Sequence, residues 1–317
     1  MGEEKSYDIV IVGAGPGGMT AGLYGARARR KTICLEKYLP GGQIANTEDV
    51  EDYPGFERIS GAELATKMAD HAKSFGLEIA SDEVQEVYVD GDYRMVKCAS
   101  GDVYRAKAVI LSTGGSPVFL GVPGEKEYSG RGVSYCAICD GAFFKDQIIA
   151  VVGGGDAAVE EALFLTKFGS KVHIIHRRDQ LRAQKIIQQR AFDNAKIDII
   201  WDTVVESING DDKQVRDLSL KNVKTGEKSK LEVGAIFVFI GFHPNSDITR
   251  EALRKDQGGY ILTDEKMETS IKGIYACGDV RAQLVRQITN AVGDGTTAAV
   301  AAEHHIEELE DKQASRV

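Results

Sequence analysis

Short apolar runs that end in glycine recur along the chain and predict the buried strands of a parallel sheet. The first, Tyr7 to Val12, is followed by a glycine-rich turn and a helical stretch from Met19 to Arg30. A second apolar run, Lys31 to Leu35, ends at the acidic residue Glu36. Continuous apolar runs of this length suit strands that are covered on both faces. The pattern predicts a strand, turn, helix, strand unit that binds a nucleotide.

The turn of this first unit reads Gly-Ala-Gly-Pro-Gly-Gly over residues 13–18. In such units, amides at the helix N-terminus hold a pyrophosphate, and a carboxylate at the end of the next strand bonds ribose hydroxyls. The residues predicted to bind the first nucleotide are Gly13, Gly15, Pro16, Gly18 and Glu36.

The same unit returns later in the chain, with a strand from Gln147 to Val152, a glycine-rich turn over 153–158, a helix and a strand from Lys171 to Ile175. His176 follows Gly153 by the same 23 positions by which Glu36 follows Gly13. Three arginines come next. A carboxylate would repel a 2′-phosphate, whereas guanidinium groups bind one through charge-assisted hydrogen bonds. The second site therefore suits NADPH, and the alternative is that the arginines form only a solvated helix start. The residues predicted to bind NADPH are Gly153, Gly155, Asp156, Ala157, His176, Arg177, Arg178 and Arg182.

Each half continues through a polar, strand-rich region to an apolar strand closed by glycine, so the halves look like copies. Turn-forming Gly and Pro residues connect them at 114–117 and 241–244. We therefore predict an α/β protein with two Rossmann-like, three-layer nucleotide-binding domains, the second inserted into the first. The expected ranges are 1–117 and 243–317 for the first domain and 118–242 for the second.

The returning segment contains a strand that ends in Gly278-Asp279, just before an Ala- and Val-rich helix from about Gln287 or Thr289. A carboxylate at this place suits the hydroxylated chain and polar edge of a flavin. The neighbouring Cys277 could lie near the cofactor, but we favour a packed small residue.

Two cysteines at Cys136-Ala-Ile-Cys139, followed by Asp140, precede the second glycine-rich turn. A close pair of this kind is redox-active or binds metal. A structural zinc site needs four ligands, and neither a second close cysteine pair nor a suitably spaced histidine set completes one. We therefore predict a redox-active pair and no metal site.

Charge and hydropathy restrict the partners that the protein can bind and the cellular compartment that we expect for it. The formal net charge of −9 argues against nucleic acid or an anionic membrane surface as a partner, since both reward a basic face. The first residues lack the features of a signal peptide, and no apolar run approaches a membrane span. We expect a cytoplasmic protein.

Taken together, these motifs closely resemble those of the low-molecular-weight thioredoxin reductases, over nearly the whole chain. The motifs that carry the resemblance are residues 13–18, Pro40-Gly41-Gly42-Gln43, Cys136 to Asp140, residues 153–158, His176-Arg177-Arg178 with Arg182, Gly278-Asp279 and Arg286-Gln287. Two departures from the family pattern, Ile138 and Cys277, leave the required chemistry intact.

The resemblance implies a homodimer whose first domain binds FAD and whose inserted domain binds NADPH. It implies that hydride passes from NADPH to FAD, that electrons then reduce the Cys136–Cys139 disulfide, and that the dithiol reduces oxidised thioredoxin. Asp140 would shuttle protons, or would otherwise cap a helix. The residues implied to contact FAD, besides those of the first turn, are Gly42, Gln43, Asn46, Gly278, Asp279, Arg286 and Gln287.

Three other functions remain open from the sequence. The same chemistry could act on a glutaredoxin-like or peroxiredoxin-type protein, or on a small disulfide, because a docking surface is not a short motif. A thiol oxidase would need no NADPH site, so the arginines argue against it. A non-catalytic flavin-binding or zinc-stabilised regulator is the remaining class.

Overall fold

The computed structural model describes residues 2–46 and 50–315, and within them the predicted α/β fold is confirmed. In chain order the strands are β1 (Glu4–Val12), β2 (Thr32–Glu36), β3 (Glu78–Ser81), β4 (Val84–Asp90), β5 (Tyr93–Cys98), β6 (Val103–Leu111), β7 (Gly115–Pro117), β8 (Val133–Ser134), β9 (Ile148–Gly153), β10 (Lys171–Ile175), β11 (Ile197–Ile200), β12 (Thr203–Gly210), β13 (Val215–Asn222), β14 (Lys228–Glu232), β15 (Ala235–Phe239), β16 (Phe242–Pro244) and β17 (Ile274–Ala276). The helices are α1 (Pro16–Arg27), α2 (Gly61–Ser74), α3 (Ala137–Asp140), α4 (Asp156–Leu165), α5 (Lys185–Phe192) and α6 (Ile288–Ala314), with short 3₁₀ turns at Gly42–Asn46, Gly141–Phe144 and Gly278–Val280.

The chain divides into two compact units, one containing the residues up to Ser116 and from His243 onward, the other Pro117–Phe242. The sequence placed the first boundary one residue later, after Pro117, and the second at the same position. The two connecting strands, β7 and β16, pair with each other. The second unit is therefore an insertion in the chain of the first.

The first unit is built on a parallel sheet in the order β3-β2-β1-β6, and β17 pairs with the C-terminal half of β6. The N-terminal half of β6 pairs instead with the antiparallel meander β5-β4. Helices α1 and α6 cover one face of the sheet, where Met19 and Ala298 are buried. The meander side contributes Val87 and Val96 to the core on the other face. Three layers result, as predicted.

The second unit repeats this arrangement with the parallel order β11-β10-β9-β15-β8. Helices α4 and α5 pack on one face, and the antiparallel sheet β12-β13-β14 packs on the other. Both units thus place a glycine-rich turn at the carboxyl end of a parallel strand, β1 in the first unit and β9 in the second, and this is the edge at which ligands bind in open α/β sheets.

Helix boundaries differ from the predictions in ways that the local residues explain. Helix α1 begins at Pro16 rather than Met19, because proline suits the first helical position, where its missing N–H is not needed. It ends at Arg27, and Arg29 has a positive φ of 58°. The sequence predicts that the helix after the second glycine-rich turn runs to about Phe168, whereas α4 ends at Leu165. Among the residues described, none of these helices is both apolar and long enough to cross a bilayer.

Candidate functional site

The first glycine-rich turn lies between β1 and α1 and is fixed by backbone contacts. Gly13 adopts a φ of 100°, which only glycine adopts readily, and its N–H donates to the Leu35 carbonyl at 2.8 Å. A Cβ on Gly18 would lie 1.9 Å from the Gly13 carbonyl oxygen. These two positions need glycine in order to close the turn, whatever it binds.

Gly15 has a different environment, because a Cβ built on it would meet no atom of the described residues within 4 Å. Its backbone is ordinary extended chain, and helix α1 begins directly after it with no side-chain cap. The first amides of α1 are therefore available to an anion. Gly42 faces the same turn, since its Cβ would lie 3.2 Å from the Gly15 Cα. The turn thus has an open face that a pyrophosphate fits.

Glu36 ends β2 beside this turn, and both of its carboxylate oxygens accept backbone hydrogen bonds. Oε2 accepts from Ala14 N at 2.8 Å and Oε1 from Tyr38 N at 3.0 Å. Each oxygen keeps a lone pair for a ribose hydroxyl. The Gln43 amide donates to the Gly115 carbonyl at 3.3 Å. The side chain of Asn46 lies outside the described part of the chain.

Asp279 lies in the short turn after β17, and its carboxylate forms no hydrogen bond with any residue of the described ranges. Burial raises its pKa, while the positive charge of Arg286 acts in the opposite direction. A largely buried acceptor without a protein donor fits a polyhydroxylated ligand. Arg286 itself stacks on Tyr260 at 3.9 Å, and the Gln287 carbonyl accepts the Ala291 N–H at the start of α6.

A buried ion pair that the sequence did not suggest supports this turn. Asp294 of α6 accepts from Gly278 N at 3.1 Å and from Arg281 Nη1 at 3.0 Å. Arg281 also donates to Thr263 Oγ1 at 3.1 Å. The pair joins residues 13 positions apart, Asp294 within α6 and Arg281 just after the Gly278–Val280 turn. Only tertiary structure could reveal it, because neither residue belongs to a recognisable motif.

Cys277 is fully buried, with its Sγ 3.1 Å from the Cβ position of Gly17. Burial raises the pKa of its thiol to about 12. Cys277 therefore stays protonated at neutral pH and packs as a small core residue, which is the interpretation that the sequence favoured.

The second glycine-rich turn, between β9 and α4, repeats the geometry of the first. Gly153 has a φ of 154°, and a Cβ on it would lie 2.3 Å from the Phe239 carbonyl oxygen. A Cβ on Gly155 would meet nothing within 4 Å, and α4 begins after it without a side-chain cap. Ala157 is exposed in the first turn of α4. The open face again suits a pyrophosphate.

His176 packs beneath this turn. Its ring lies 2.3 Å from the Cβ position of Gly154, and Nε2 contacts the Gln180 carbonyl at 3.0 Å. Burial lowers the pKa of the imidazole, and the nearby Arg182 and Arg178 lower it further. The imidazole is therefore neutral near pH 7. It shapes the turn, and the positive charge of this site comes from the arginines.

Arg177, Arg178 and Arg182 are exposed on the loop that follows β10. Their guanidinium groups form no ion pair with a carboxylate in the described parts of the chain. Acidic residues nearby are engaged elsewhere, since both Asp179 and Asp202 pair with Lys224. The three guanidinium groups are thus available to an anionic ligand beside the second turn.

The cysteine pair lies in the same unit, where β8 leads into the short helix α3. The Ser134 hydroxyl accepts from Cys136 N at 3.1 Å and donates to the Cys136 carbonyl at 3.2 Å. Cys136 is disulfide-bonded, whereas Cys34, Cys98 and Cys277 are free thiols. The side chain of Cys139 lies outside the described part of the chain.

Asp140 ends α3 at the start of the following 3₁₀ turn, and its side chain makes no capping hydrogen bond there. The alternative role of a helix cap is therefore not seen. Tyr135, on the other side of Cys136, donates to the buried Glu125 at 2.9 Å. The carboxylate of Glu125 also accepts from Leu120 N and Gly121 N. This contact ties the cysteine segment to the start of the second unit.

Asn245, which follows the second connector, binds the first connector through both its backbone and its side chain. Its Nδ2 donates to the Thr113 carbonyl at 2.9 Å, and its backbone N–H donates to the Gly114 carbonyl at 2.9 Å. The Ser116 hydroxyl donates to its Oδ1 at 2.7 Å. The sequence marked these segments as turns but did not identify Asn245 as the residue that joins them.

Comparisons with known proteins agree with this arrangement. A family model described as pyridine nucleotide-disulphide oxidoreductase matches residues 7–295. The thioredoxin reductase of Bacillus subtilis (strain 168) is 50% identical over 311 residues, which cover 98% of this chain and 98% of the relative.

Solved structures give the same result in three dimensions. The thioredoxin reductase of Lactococcus lactis in its FR conformation is 50% identical, with a TM-score of 0.93 over 95% of this chain and 99% of that one. The thioredoxin reductase of T. acidophilum is 34% identical, with a TM-score of 0.91 over 96% of this chain and 99% of that one.

Proposed function

The chain belongs to the pyridine nucleotide-disulphide oxidoreductase family, as one of its thioredoxin reductases, and from this premise we propose its cofactors, redox residues and partner. NADPH is the electron donor, FAD the resident cofactor, Cys136 and Cys139 the redox pair, and thioredoxin the acceptor. The observation that carries the proposal is that Cys136 is disulfide-bonded in the same unit as the second glycine-rich turn and three arginines that form no ion pair within the described ranges. FAD and NADPH, when bound, supply the hydride and the electron pair that reduce this disulfide.

The first unit holds FAD in this proposal. The open face at Gly15 and the uncapped start of α1 support a pyrophosphate site. Glu36 has lone pairs left for ribose hydroxyls, and the carboxylate of Asp279 has no donor among the residues that the structure describes. A 2′-hydroxyl nucleotide suits the carboxylate of Glu36, which would repel a 2′-phosphate.

The second unit holds NADPH. Gly155 gives the pyrophosphate access to the amides of α4, and the guanidinium groups of Arg177, Arg178 and Arg182 bind the 2′-phosphate. None of the three pairs with a carboxylate of the described residues, and this supports the role, because a guanidinium group already in an ion pair would lose that pair on binding phosphate. His176 holds the turn in shape from below.

The cysteine pair passes the electrons on by thiol–disulfide exchange. Two electrons and two protons convert the Cys136–Cys139 disulfide into a dithiol. One thiolate attacks a sulfur of the acceptor disulfide, and the other acceptor sulfur leaves as a thiolate. The second cysteine then attacks the mixed disulfide, which releases the acceptor as a dithiol and restores the Cys136–Cys139 disulfide.

Asp140 serves this exchange as the proton carrier. Its carboxylate follows Cys139 directly and is not engaged in capping the next turn. A carboxylate at this position can take a proton from one thiol and return it as the electron pair moves.

We further propose that the enzyme works as a homodimer in the cytoplasm. The three buried cysteines that remain free thiols suit a reducing compartment. Thioredoxin is the acceptor named for the relatives, while glutaredoxin-like and peroxiredoxin-type proteins keep the same chemistry and form the alternative.

Anaerobic titration with NADPH tests the electron path. The intact yellow protein should take up about two equivalents of NADPH, one for FAD and one for the disulfide. Cys139→Ser should take up about one, because only the flavin remains to be reduced. Equal uptake by both proteins would show that the cysteine pair does not receive electrons, and absence of flavin bleaching would overturn the NADPH assignment.

A further inference from the structure

Asp156 is the first residue of α4, so it places a carboxylate at the helix end proposed to receive the NADPH pyrophosphate. A carboxylate that faced the ligand there would repel its phosphates. Its Oδ1 instead accepts the backbone N–H of Gln184 at 2.6 Å. The carboxylate therefore binds the segment that contains Arg182.

That segment has little regular structure of its own to hold it in place. Residues 177–184 lie between β10 and α5 and contain neither helix nor strand. Three consecutive backbone amides nevertheless point to the second glycine-rich turn. Arg182 N and Ala183 N donate to the Gly154 carbonyl at 2.6 and 3.1 Å, and Gln184 N donates to Asp156. Asp156 is the one side chain among these acceptors.

We infer that Asp156 is a positioning residue for Arg182, and that through this residue it sets the preference for a 2′-phosphate over a 2′-hydroxyl. The inference rests on the proposed NADPH site. Gln188 of α5 also holds the segment, since its Nε2 donates to the Leu181 and Ala183 carbonyls at 3.3 and 2.6 Å. Without the bond to Gln184 N, the backbone bonds that join the segment to the second turn within the described residues would be the two to the Gly154 carbonyl. The Arg182 guanidinium would then spend less time at the place where the 2′-phosphate binds.

This role differs in a measurable way from direct contact between Asp156 and the nucleotide. A residue that contacts ribose or pyrophosphate would affect nucleotides with and without a 2′-phosphate alike. A residue that positions Arg182 would affect only those with a 2′-phosphate. Asparagine keeps an oxygen that can accept from Gln184 N, so it should preserve positioning although it removes the charge.

The experiment compares calorimetric binding of adenosine 2′,5′-bisphosphate and adenosine 5′-monophosphate to the FAD-loaded protein and its Asp156→Ala and Asp156→Asn variants. For Asp156→Ala, we expect binding of the bisphosphate to weaken about tenfold, the loss typical of a hydrogen bond to a charged group. Binding of the monophosphate should change less than about twofold, and Asp156→Asn should stay close to the parent protein for both probes.

Arg182→Ala supplies the matched control. It should weaken bisphosphate binding at least as much, and the double variant Asp156→Ala with Arg182→Ala should be no weaker than Arg182→Ala alone, since Asp156 acts through that arginine. Additive losses, or equal weakening of both probes by Asp156→Ala, would overturn the inference. If the parent protein does not distinguish the two probes, the NADPH proposal itself fails and the inference fails with it.

Discussion

The buried ion pair behind the Gly278-Asp279 turn gives a prediction whose size follows from the contacts. Asp294 is 7% exposed and accepts from both Gly278 N and Arg281 Nη1. Asp294→Ala leaves a buried amide without an acceptor and a guanidinium group without its counter-charge. Removing one partner of a buried pair costs about 3–5 kcal/mol. Because Arg281 keeps its bonds to Thr263 and Gln283, we expect the lower end, about 3 kcal/mol.

Asp294→Asn separates the hydrogen bond to Gly278 N from the charge that faces Arg281, because its amide oxygen can still accept from Gly278 N. Its cost should be about 1–2 kcal/mol, the share of the lost charge. FAD affinity should fall more in Asp294→Ala than in Asp294→Asn, because the alanine variant removes more of the support of the turn that carries Asp279. Flavin release during urea unfolding reports the stability of the first unit. The fluorescence of Trp201, the single tryptophan, reports the stability of the second unit in the same experiment.

The matched control is Glu63→Ala, which removes the exposed pair with Lys67 on α2 and should cost less than about 0.5 kcal/mol. The Trp201 transition should not move in any of these variants. If Asp294→Ala cost no more than Glu63→Ala, or if it shifted the Trp201 transition as much as flavin release, the argument that this pair supports the flavin turn would be refuted.

Other predictions test single features of the site. Gly155→Ala should leave the stability of the fold unchanged, because the backbone of Gly155 is ordinary extended chain and a Cβ there would meet no described atom within 4 Å. It should weaken NADPH binding at least tenfold, and unchanged binding would place the nucleotide elsewhere. Replacing Arg177 and Arg178 by alanine should reduce the NADPH-to-NADH ratio of kcat/KM about 100-fold, from two lost charge-assisted contacts. His305 is buried, and within the described part of the chain neither of its ring nitrogens has a hydrogen-bond partner. Burial lowers its pKa, so the free energy of unfolding should be at its full value above about pH 6.5 and fall by up to about 1.4 kcal/mol per pH unit below it. His305→Gln should flatten that part of a thermal unfolding profile, and an unchanged slope would assign the acid sensitivity to other groups. Asp140→Asn should slow dithiol formation in stopped-flow experiments while FAD content stays the same, and equal rates would exclude proton transfer by this residue.

The fold and the main chemical groups could be predicted because their signals are local. A glycine-rich turn between an apolar strand and a helix occupies few consecutive residues, and the second copy confirms the register of the first. The three-layer α/β fold is confirmed in both units. The residues assigned to FAD and NADPH remain predictions, and their positions around Gly15 and Gly155 support them.

The contacts that support the site could not be predicted from the sequence, because they join residues from different parts of the chain. Arg281, the partner of Asp294, lies outside the helix that contains Asp294, and the role of Asn245 depends on the pairing of two connectors more than 100 residues apart. For His176, the register identified the position but not the direction of the ring, which depends on the space left by Gly154. Sequence spacing locates a residue, whereas packing decides what its side chain touches.

The most direct test of the central claim is NADPH oxidation by the purified protein with oxidised thioredoxin, measured under anaerobic conditions beside Cys139→Ser. The proposal predicts sustained turnover by the intact protein and none by the variant, although NADPH bleaches the flavin in both. Turnover in the variant would contradict transfer through the cysteine pair. An intact protein that bleaches with NADPH but does not reduce thioredoxin would contradict the proposed acceptor.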